Sequence, residues 1–254
     1  MKYVYAGDRD ISVWILEFLI SQGLKPAALL VTGEERASHA EHLINLSGLD
    51  PKLVIIGTDF KKPEVRKMLS DINPDYIFGV HFPYIIPESV LNIPKIGFTN
   101  LHPAYLPYNR GWHTPSWAIL ENTPLGATFH FMEKELDTGD IIHQKKVEVK
   151  SSDTAHELYQ RLKKVELETF TEAFPQLLSD SVERTKQDLS LGTSHVKQDL
   201  SKEDVQKIDL NKSYKGKDLI DKLRALTTND ISEAAYFIKD GVKYRLQIII
   251  EEET

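Results

Sequence analysis

Short apolar runs alternate with amphipathic stretches over the first third of the chain. The run YVYA at 3–6 is followed by the polar turn Gly7-Asp8-Arg9-Asp10, and then Ile11, Trp14, Ile15, Phe18 and Leu19 recur at helical spacing. The same alternation predicts strands over 27–31, 53–56 and 76–80. It predicts helices over 34–46 and 63–72, the second with Pro63 in its first turn. Strands that are apolar throughout and separated by helices imply an α/β fold with a mostly parallel sheet covered on both faces. In such sheets ligands bind beyond the carboxyl ends of the strands. The turns at 7–10 and 81–87 therefore face the expected site.

Further along, residues 98–100 read as a short strand delivering the loop LHPAYLPYNRGWHTP, in which Pro103 and Pro107 stiffen the backbone. Residues 127–132 and 141–149 read as two more strands joined by 133–140. Thr154 with Glu157 three residues on forms a capping box. It opens a helix whose apolar face is Leu158, Leu162, Val165, Phe170 and Phe174. Residues 180–210 are polar and weakly periodic, with the echo KQDLS at 186–190 and 197–201. A helix over 217–226 precedes a hairpin over 234–250 turning at Asp240-Gly241. The expected organisation is a main domain over 1–180, a connecting segment over 181–210, and a C-terminal helix plus β-hairpin over 211–254.

Composition narrows the function. The 254 residues are enough for one large domain with an appendage. The chain has no cysteine, which removes disulfides, thiolate metal sites and a cysteine nucleophile together. A net charge of −7 argues against a nucleic-acid binder. No uncharged run reaches the roughly 18 residues of a membrane span, and the N-terminus does not read as a signal peptide. The expectation is a cytoplasmic enzyme or binding protein.

The candidate chemistry lies in two segments. Asn100 and His102 stand two apart, and Asp137 occupies the tight turn LDTGD, where Gly139 permits the reversal. If strands 98–100 and 127–132 are neighbours, Asp137 approaches His102. Asn, His and Asp then supply a donor for a developing oxyanion, a proton acceptor near neutral pH and an orienting anion. No activated Ser accompanies them. His39 and His42 lack a third ligand, so no metal is expected.

The segments NLHPAYLPYNRG (100–111) and TFHFMEKELDTGDII (128–142), with the opening VYAGDRDISVWILEFL, resemble the folate-dependent formyltransferases. The likeness covers roughly residues 1–180. It implies a Rossmann-like domain, N10-formyltetrahydrofolate as co-substrate, and a catalytic set of Asn100, His102 and Asp137. The motifs GDRDIS and GVHFPYIIP and the short tail most resemble the sugar N-formyltransferase branch. That branch implies a dTDP-linked amino-dideoxy sugar as acceptor, on the way to surface polysaccharides such as lipopolysaccharide O-antigen, and a homodimer. The best match is dTDP-4-amino-4,6-dideoxyglucose. Another acceptor (a 3-amino sugar or a UDP-amino sugar) and a non-catalytic nucleotide-sugar binder are the alternatives.

The resemblance places Phe82, Tyr84, Ile85, Ile86, Gly111, Thr138, Gly139 and Asp140 at the folate. It places Arg9, His81, Tyr105, Arg110, Trp112 and Tyr236 at the nucleotide sugar. Plainer readings stand beside these. Arg9 is a solvated turn residue or a phosphate clamp, and the end of the first helix would favour an anion there. Arg110 pins the loop or meets a ligand, and Trp112 and His113 pack beneath the loop or line a sugar pocket. The FPYIIP run is also core, Tyr236 and Phe237 also pack the hairpin, and His195 reads as connector.

Overall fold

The structure, a computed structural model, describes residues 1–33, 35, 37–179 and 182–253. The first half runs β1 (Tyr3–Gly7), α1 (Arg9–Ser21), β2 (Ala28–Val31), α2 (Ala40–Ser47), β3 (Val54–Ile56), α3 (Pro63–Ile72), β4 (Tyr76–Val80), α4 (Glu88–Leu91) and β5 (Gly97–His102). It continues through β6 (Arg110–Gly111), α5 (Thr114–Glu121), β7 (Leu125–Phe131), β8 (Ile141–Val147) and α6 (Ala155–Leu177). The remainder holds β9 (Ser194–His195), α7 (Glu203–Gln206), α8 (Gly216–Ala225), β10 (Ala235–Lys239) and β11 (Val242–Leu246). Seven strands make one sheet in the order β3-β2-β1-β4-β5-β7-β8. β3 through β5 are parallel, and β7 joins β5 antiparallel. The mostly parallel α/β architecture expected from the pattern is present.

The apolar strands bury both faces, as successive side chains point to opposite sides. Tyr3 and Tyr5 of β1 join Phe78, Val80, Leu101, Phe129 and Phe170 in one cluster. Val4 and Ala6 join Ile77, Phe98, Phe60 and Leu69 in the other. Each large side chain removed from water in this way contributes about 1.5–3 kcal/mol. Phe170 and Phe174 bring α6 onto the first face. The Thr154–Glu157 capping box forms: Glu157 N–H donates to Thr154 Oγ1 at 3.3 Å, and Thr154 N–H donates to Glu157 Oε2 at 2.8 Å.

By compactness the chain divides into two units. One comprises Met1–His102, Thr128–Gln144 and Glu166–Gln187; the other comprises Pro103–Ala127, Lys145–Val165 and Asp188–Thr254. In the second unit, α5, α6 and Ala225 of α8 share one apolar cluster. Trp117, Leu200, Ile208, Leu226 and Ala235 form another. Residues 188–210, expected to connect, thus carry β9, α7 and part of that core.

Three local differences have physical causes. The helix expected from 34 begins at Ala40, because the backbone N–H groups of Ser38 and His39 donate to the Asp8 carboxylate instead of starting a turn; Glu34 and Arg36 lie outside the described residues. Strand β5 runs on to His102, since the ladder with β7 continues that far. The hairpin turns at Asp240 and Gly241, both at positive φ as a two-residue type I′ turn requires. Its second strand stops at Leu246 rather than 250. There Gln247 Nε2 donates to the Thr228 carbonyl and Ile248 N–H to Thr227 Oγ1, drawing the chain off the ladder. Among the described residues no helix is long and apolar enough to cross a membrane.

Candidate active site

Within the first unit, the β5–β7 register sets Asn100 opposite His130 and His102 opposite Thr128. Both Asn100 and His102 are therefore held by strand pairing. The loop stiffened by Pro103 and Pro107 begins only after His102. The turn leaving β7 carries Asp137 back to these side chains. His102 Nε2 lies 3.5 Å from Asp137 Oδ2, and His130 Nε2 lies 3.7 Å from Asp137 Oδ1. Asn100 Nδ2 is 3.5 Å from His130 Nε2. One carboxylate thus faces two imidazoles, with an amide beside the second. His102, His130 and Asp137 are all buried. His102 Nε2 is in ion-pair range of Asp137 but not aligned for a hydrogen bond, and it is a buried nitrogen without a hydrogen-bond partner. Such bonds are often long before substrate arrives.

His130 was not singled out by the sequence pattern, because TFHF reads simply as an inward-facing stretch of strand. The signal that reveals it is the register opposite Asn100, which only the folded sheet supplies. Its Nδ1 is 2.7 Å from the Phe131 carbonyl, which can only accept, so Nδ1 carries the hydrogen and Nε2 the lone pair. Complete burial lowers its pKa to about 4; the His102 ring adds to this and the Asp137 carboxylate opposes it. The ring is neutral at physiological pH and accepts from the Asn100 amide. That leaves the second Asn100 N–H to point elsewhere.

The turn is tightly built. Asp137 has φ +54, a left-handed conformation uncommon for a non-glycine residue. A Cβ at Gly139 would lie 2.0 Å from the Phe131 carbonyl oxygen, so only glycine fits. Thr138 Oγ1 donates to the Glu135 carbonyl at 3.0 Å, and the Asp140 carbonyl accepts from Phe131 N–H at 2.9 Å.

The other anticipated residues of this unit are placed as follows. Asp8 is fully buried at the start of α1 and accepts from Ser38 and His39. Burial alone would raise its pKa, but the N–H groups of His39, Ser38 and Arg9 and the Arg9 charge together lower it. The anion favoured at that helix end is therefore Asp8 itself, and the Arg9 side chain, 51% exposed, stands 3.9 Å from it. His81 is also left-handed, with φ +51, and its Nε2 pairs with the buried Glu166 of α6 at 2.6 Å. Its imidazole thus faces α6. Phe82 and Tyr84 pack on Phe60 and each other, and the Tyr84 hydroxyl accepts from Gly33 N–H at 3.1 Å. Ile86 is core, whereas Ile85 is 85% exposed.

The second unit holds Tyr105, Arg110, Gly111, Trp112 and Tyr236. Lys146 Nζ lies over the Tyr105 ring at 4.9 Å. Arg110 and Gly111 form β6, paired parallel with Ser194 and His195. Trp112 is 43% exposed, with Lys197 Nζ 5.5 Å from its ring. The buried Tyr236 ring is covered by Lys243 at 3.9 Å. His113 starts α5 and faces Glu233 at 3.7 Å. His195 stacks on Trp117 with ring centroids 3.8 Å apart and reaches Glu121 Oε1 at 3.0 Å. Packing accounts for that histidine.

Comparison with known proteins adds the family. The profile described as Formyl transferase matches residues 20–174, and that described as N-formyltransferase dimerization C-terminal domain matches 202–252. The chain is 28% identical over 179 residues to a dTDP-4-amino-4,6-dideoxyglucose formyltransferase of Mycobacterium tuberculosis, covering 70% of this chain and 74% of that one. It is 29% identical over 232 residues to a methionyl-tRNA formyltransferase of Geobacillus sp. (strain WCH70), covering 89% and 71%. A crystal structure of a 4-N formyltransferase from Francisella tularensis superposes with TM-score 0.81 at 28% identity over 99% of both chains.

Proposed function

The chain belongs to the formyl transferase family and is a formyl-transferring enzyme, and from that premise we propose that it formylates the amino group of a nucleotide-linked sugar. N10-formyltetrahydrofolate is the donor in this reading, and its part is to supply the formyl group. Asn100, His102 and Asp137 are the catalytic residues. The single observation that carries the reading is the convergence of Asn100, His102, His130 and Asp137 in one unit.

Asn100 donates to the oxyanion that develops as the formyl carbon becomes tetrahedral, and such a donor is typically worth about 3 kcal/mol. His130 holds the amide in that orientation. His102 takes the proton from the attacking amine and passes it toward the departing nitrogen, and Asp137 orients the imidazole. Phe82, Tyr84, Ile85, Ile86, Thr138, Gly139 and Asp140 of the first unit are assigned to the folate. Arg9 and His81 of the first unit are assigned to the nucleotide sugar.

The acceptor we favour is dTDP-4-amino-4,6-dideoxyglucose, in the assembly of surface polysaccharide in the cytoplasm. Similarity to a dTDP-4-amino-4,6-dideoxyglucose formyltransferase, together with the C-terminal profile described as N-formyltransferase dimerization C-terminal domain, supports an amino-sugar acceptor over a tRNA. So does the net charge of −7, which opposes the phosphate contacts that dominate nucleic-acid affinity. A homodimer is supported by the C-terminal profile and by the exposed Ile231, Ile238, Val242 and Tyr244 in the region it matches. A mass-spectrometric assay with N10-formyltetrahydrofolate, a panel of dTDP- and UDP-amino sugars, and methionyl-tRNA tests the whole reading. Formylation of a dTDP-4-amino sugar is expected; formylation of methionyl-tRNA alone would overturn it.

A further inference from the structure

The Asp137 carboxylate faces both histidines from a left-handed backbone conformation that few non-glycine residues adopt. The segment following α6 meets that turn. Gln187 Nε2 donates to the Asp137 carbonyl at 3.0 Å and to the Gly139 carbonyl at 2.6 Å. A side-chain amide nitrogen carries two hydrogens, and the turn presents two carbonyls that can only accept, so donors and acceptors match. The amide cannot be reversed, because its oxygen would then face both carbonyls. Its Oε1 is instead left buried without a hydrogen-bond partner, an unfavourable state accepted so that the nitrogen end can grip the turn.

The segment carrying Gln187 is itself anchored. Thr185 and Ile141 exchange two backbone hydrogen bonds, at 2.8 and 2.9 Å, immediately beyond the turn. The Arg184 guanidinium lies 3.8 Å over the Phe131 ring, and its Nη2 donates to the Ile96 carbonyl at 3.0 Å. Residues 184–187 therefore close over the end of β7 and the start of β8 as a brace. We propose that Gln187 is a positioning residue for formyl transfer, acting through the backbone of Asp137 and Gly139 to keep the carboxylate aimed between His102 and His130. The proposal rests on the catalytic reading of Asp137. It assigns a role in the chemistry to a residue 50 positions away, in a stretch that by sequence only connects.

Gln187→Met keeps length and burial while deleting both donors, and Gln187→Glu sets a carboxylate against two carbonyls. Both are assayed beside Asp137→Asn and the neighbouring Arg184→Met, with thermal melting on each. For Gln187→Met, kcat is expected to fall about tenfold, with KM for the nucleotide sugar within about twofold, since a small misplacement near the chemistry costs turnover rather than acceptor binding. Gln187→Glu should lose more at pH 8. Its activity relative to wild type should then recover toward pH 5.5, as the carboxyl gains a hydrogen and becomes a donor again. A merely structural residue would lower the melting temperature without that pH signature, as Arg184→Met should. An inactive Asp137→Asn beside a Gln187→Met with wild-type kcat would overturn the brace. Wild-type turnover in Asp137→Asn would instead overturn the catalytic reading and the brace with it. If Gln187→Met does not fold, the pH-dependent ratio for Gln187→Glu decides, and a ratio constant from pH 8 to 5.5 rejects the proposal.

Discussion

Lowering the pH from 7.5 to 4 at constant salt and protein concentration perturbs one fully buried group of the site above the rest, His130. In the unfolded chain its imidazole takes up a proton near the ordinary 6.5; in the folded protein burial, aided by the nearby His102, delays this to about 4 against the opposing Asp137 carboxylate. Between those values the unfolded state binds more protons than the folded one, so acid favours unfolding. The contribution is fully present above about 6.5, is lost as the pH falls toward 4, and levels off below. At about 1.36 kcal/mol per pH unit the gap corresponds to roughly 3 kcal/mol, a large share of the 5–15 kcal/mol typical of a folded protein. His113 and His195 are also shifted down, chiefly by burial, and act in the same direction, so the wild-type curve alone does not isolate His130.

Comparison with His130→Asn does isolate it, because the other groups are common to both proteins. Urea unfolding followed by tryptophan fluorescence at closely spaced pH values gives the two stability curves. Wild-type stability should fall by roughly 3 kcal/mol more than that of the variant between pH 7.5 and 4. Parallel curves would refute the argument, since they would mean that the ring is not buried neutral. A steeper loss in the variant would refute it as well.

Other expectations follow from the same geometry. His102→Ala or Asp137→Ala should lower kcat at least about 10²-fold with nucleotide-sugar binding nearly intact, read by steady-state kinetics and titration calorimetry. Gly139→Ala drives a Cβ against the Phe131 carbonyl, so stability should fall by about 1–3 kcal/mol in chemical denaturation, with turnover falling too. Arg9→Ala should weaken dTDP binding in calorimetry by roughly tenfold, one charge-assisted contact; unchanged affinity would leave Arg9 a turn residue beside Asp8. Ile249, exposed in the single chain, should lie in a dimer contact, so Ile249→Glu should shift light scattering toward monomer.

The residue pattern determined the elements whose stability is local. Pro63 marks the start of α3, the Thr154–Glu157 box opens α6, and Asp240-Gly241 turns the hairpin, each because a short-range rule selects one backbone conformation. The continuous apolar runs of β1, β2 and β4 likewise marked a sheet covered on both faces. By contrast α5 left no signal: Thr114 to Ile119 are all buried, so no polar face reveals its period. The shortened α2 depended on a carboxylate some 30 residues away competing for its first N–H groups.

The site divides in the same way. The residue types of Asn100, His102 and Asp137 were legible, since each side chain suits a step of the proposed transfer and two occur in one short segment. His130 and Gln187 were not. A strand histidine and a connector glutamine carry no local mark of function. The roles proposed for them come from the register of β5 on β7 and from the return of the chain after α6 to the turn at Asp137. Propensity, capping and turn rules act over a few neighbouring residues, and so they can be read along the chain. Register and long-range hydrogen bonding are settled by the burial and pairing of distant segments together, and only the tertiary structure decides which polar atoms meet.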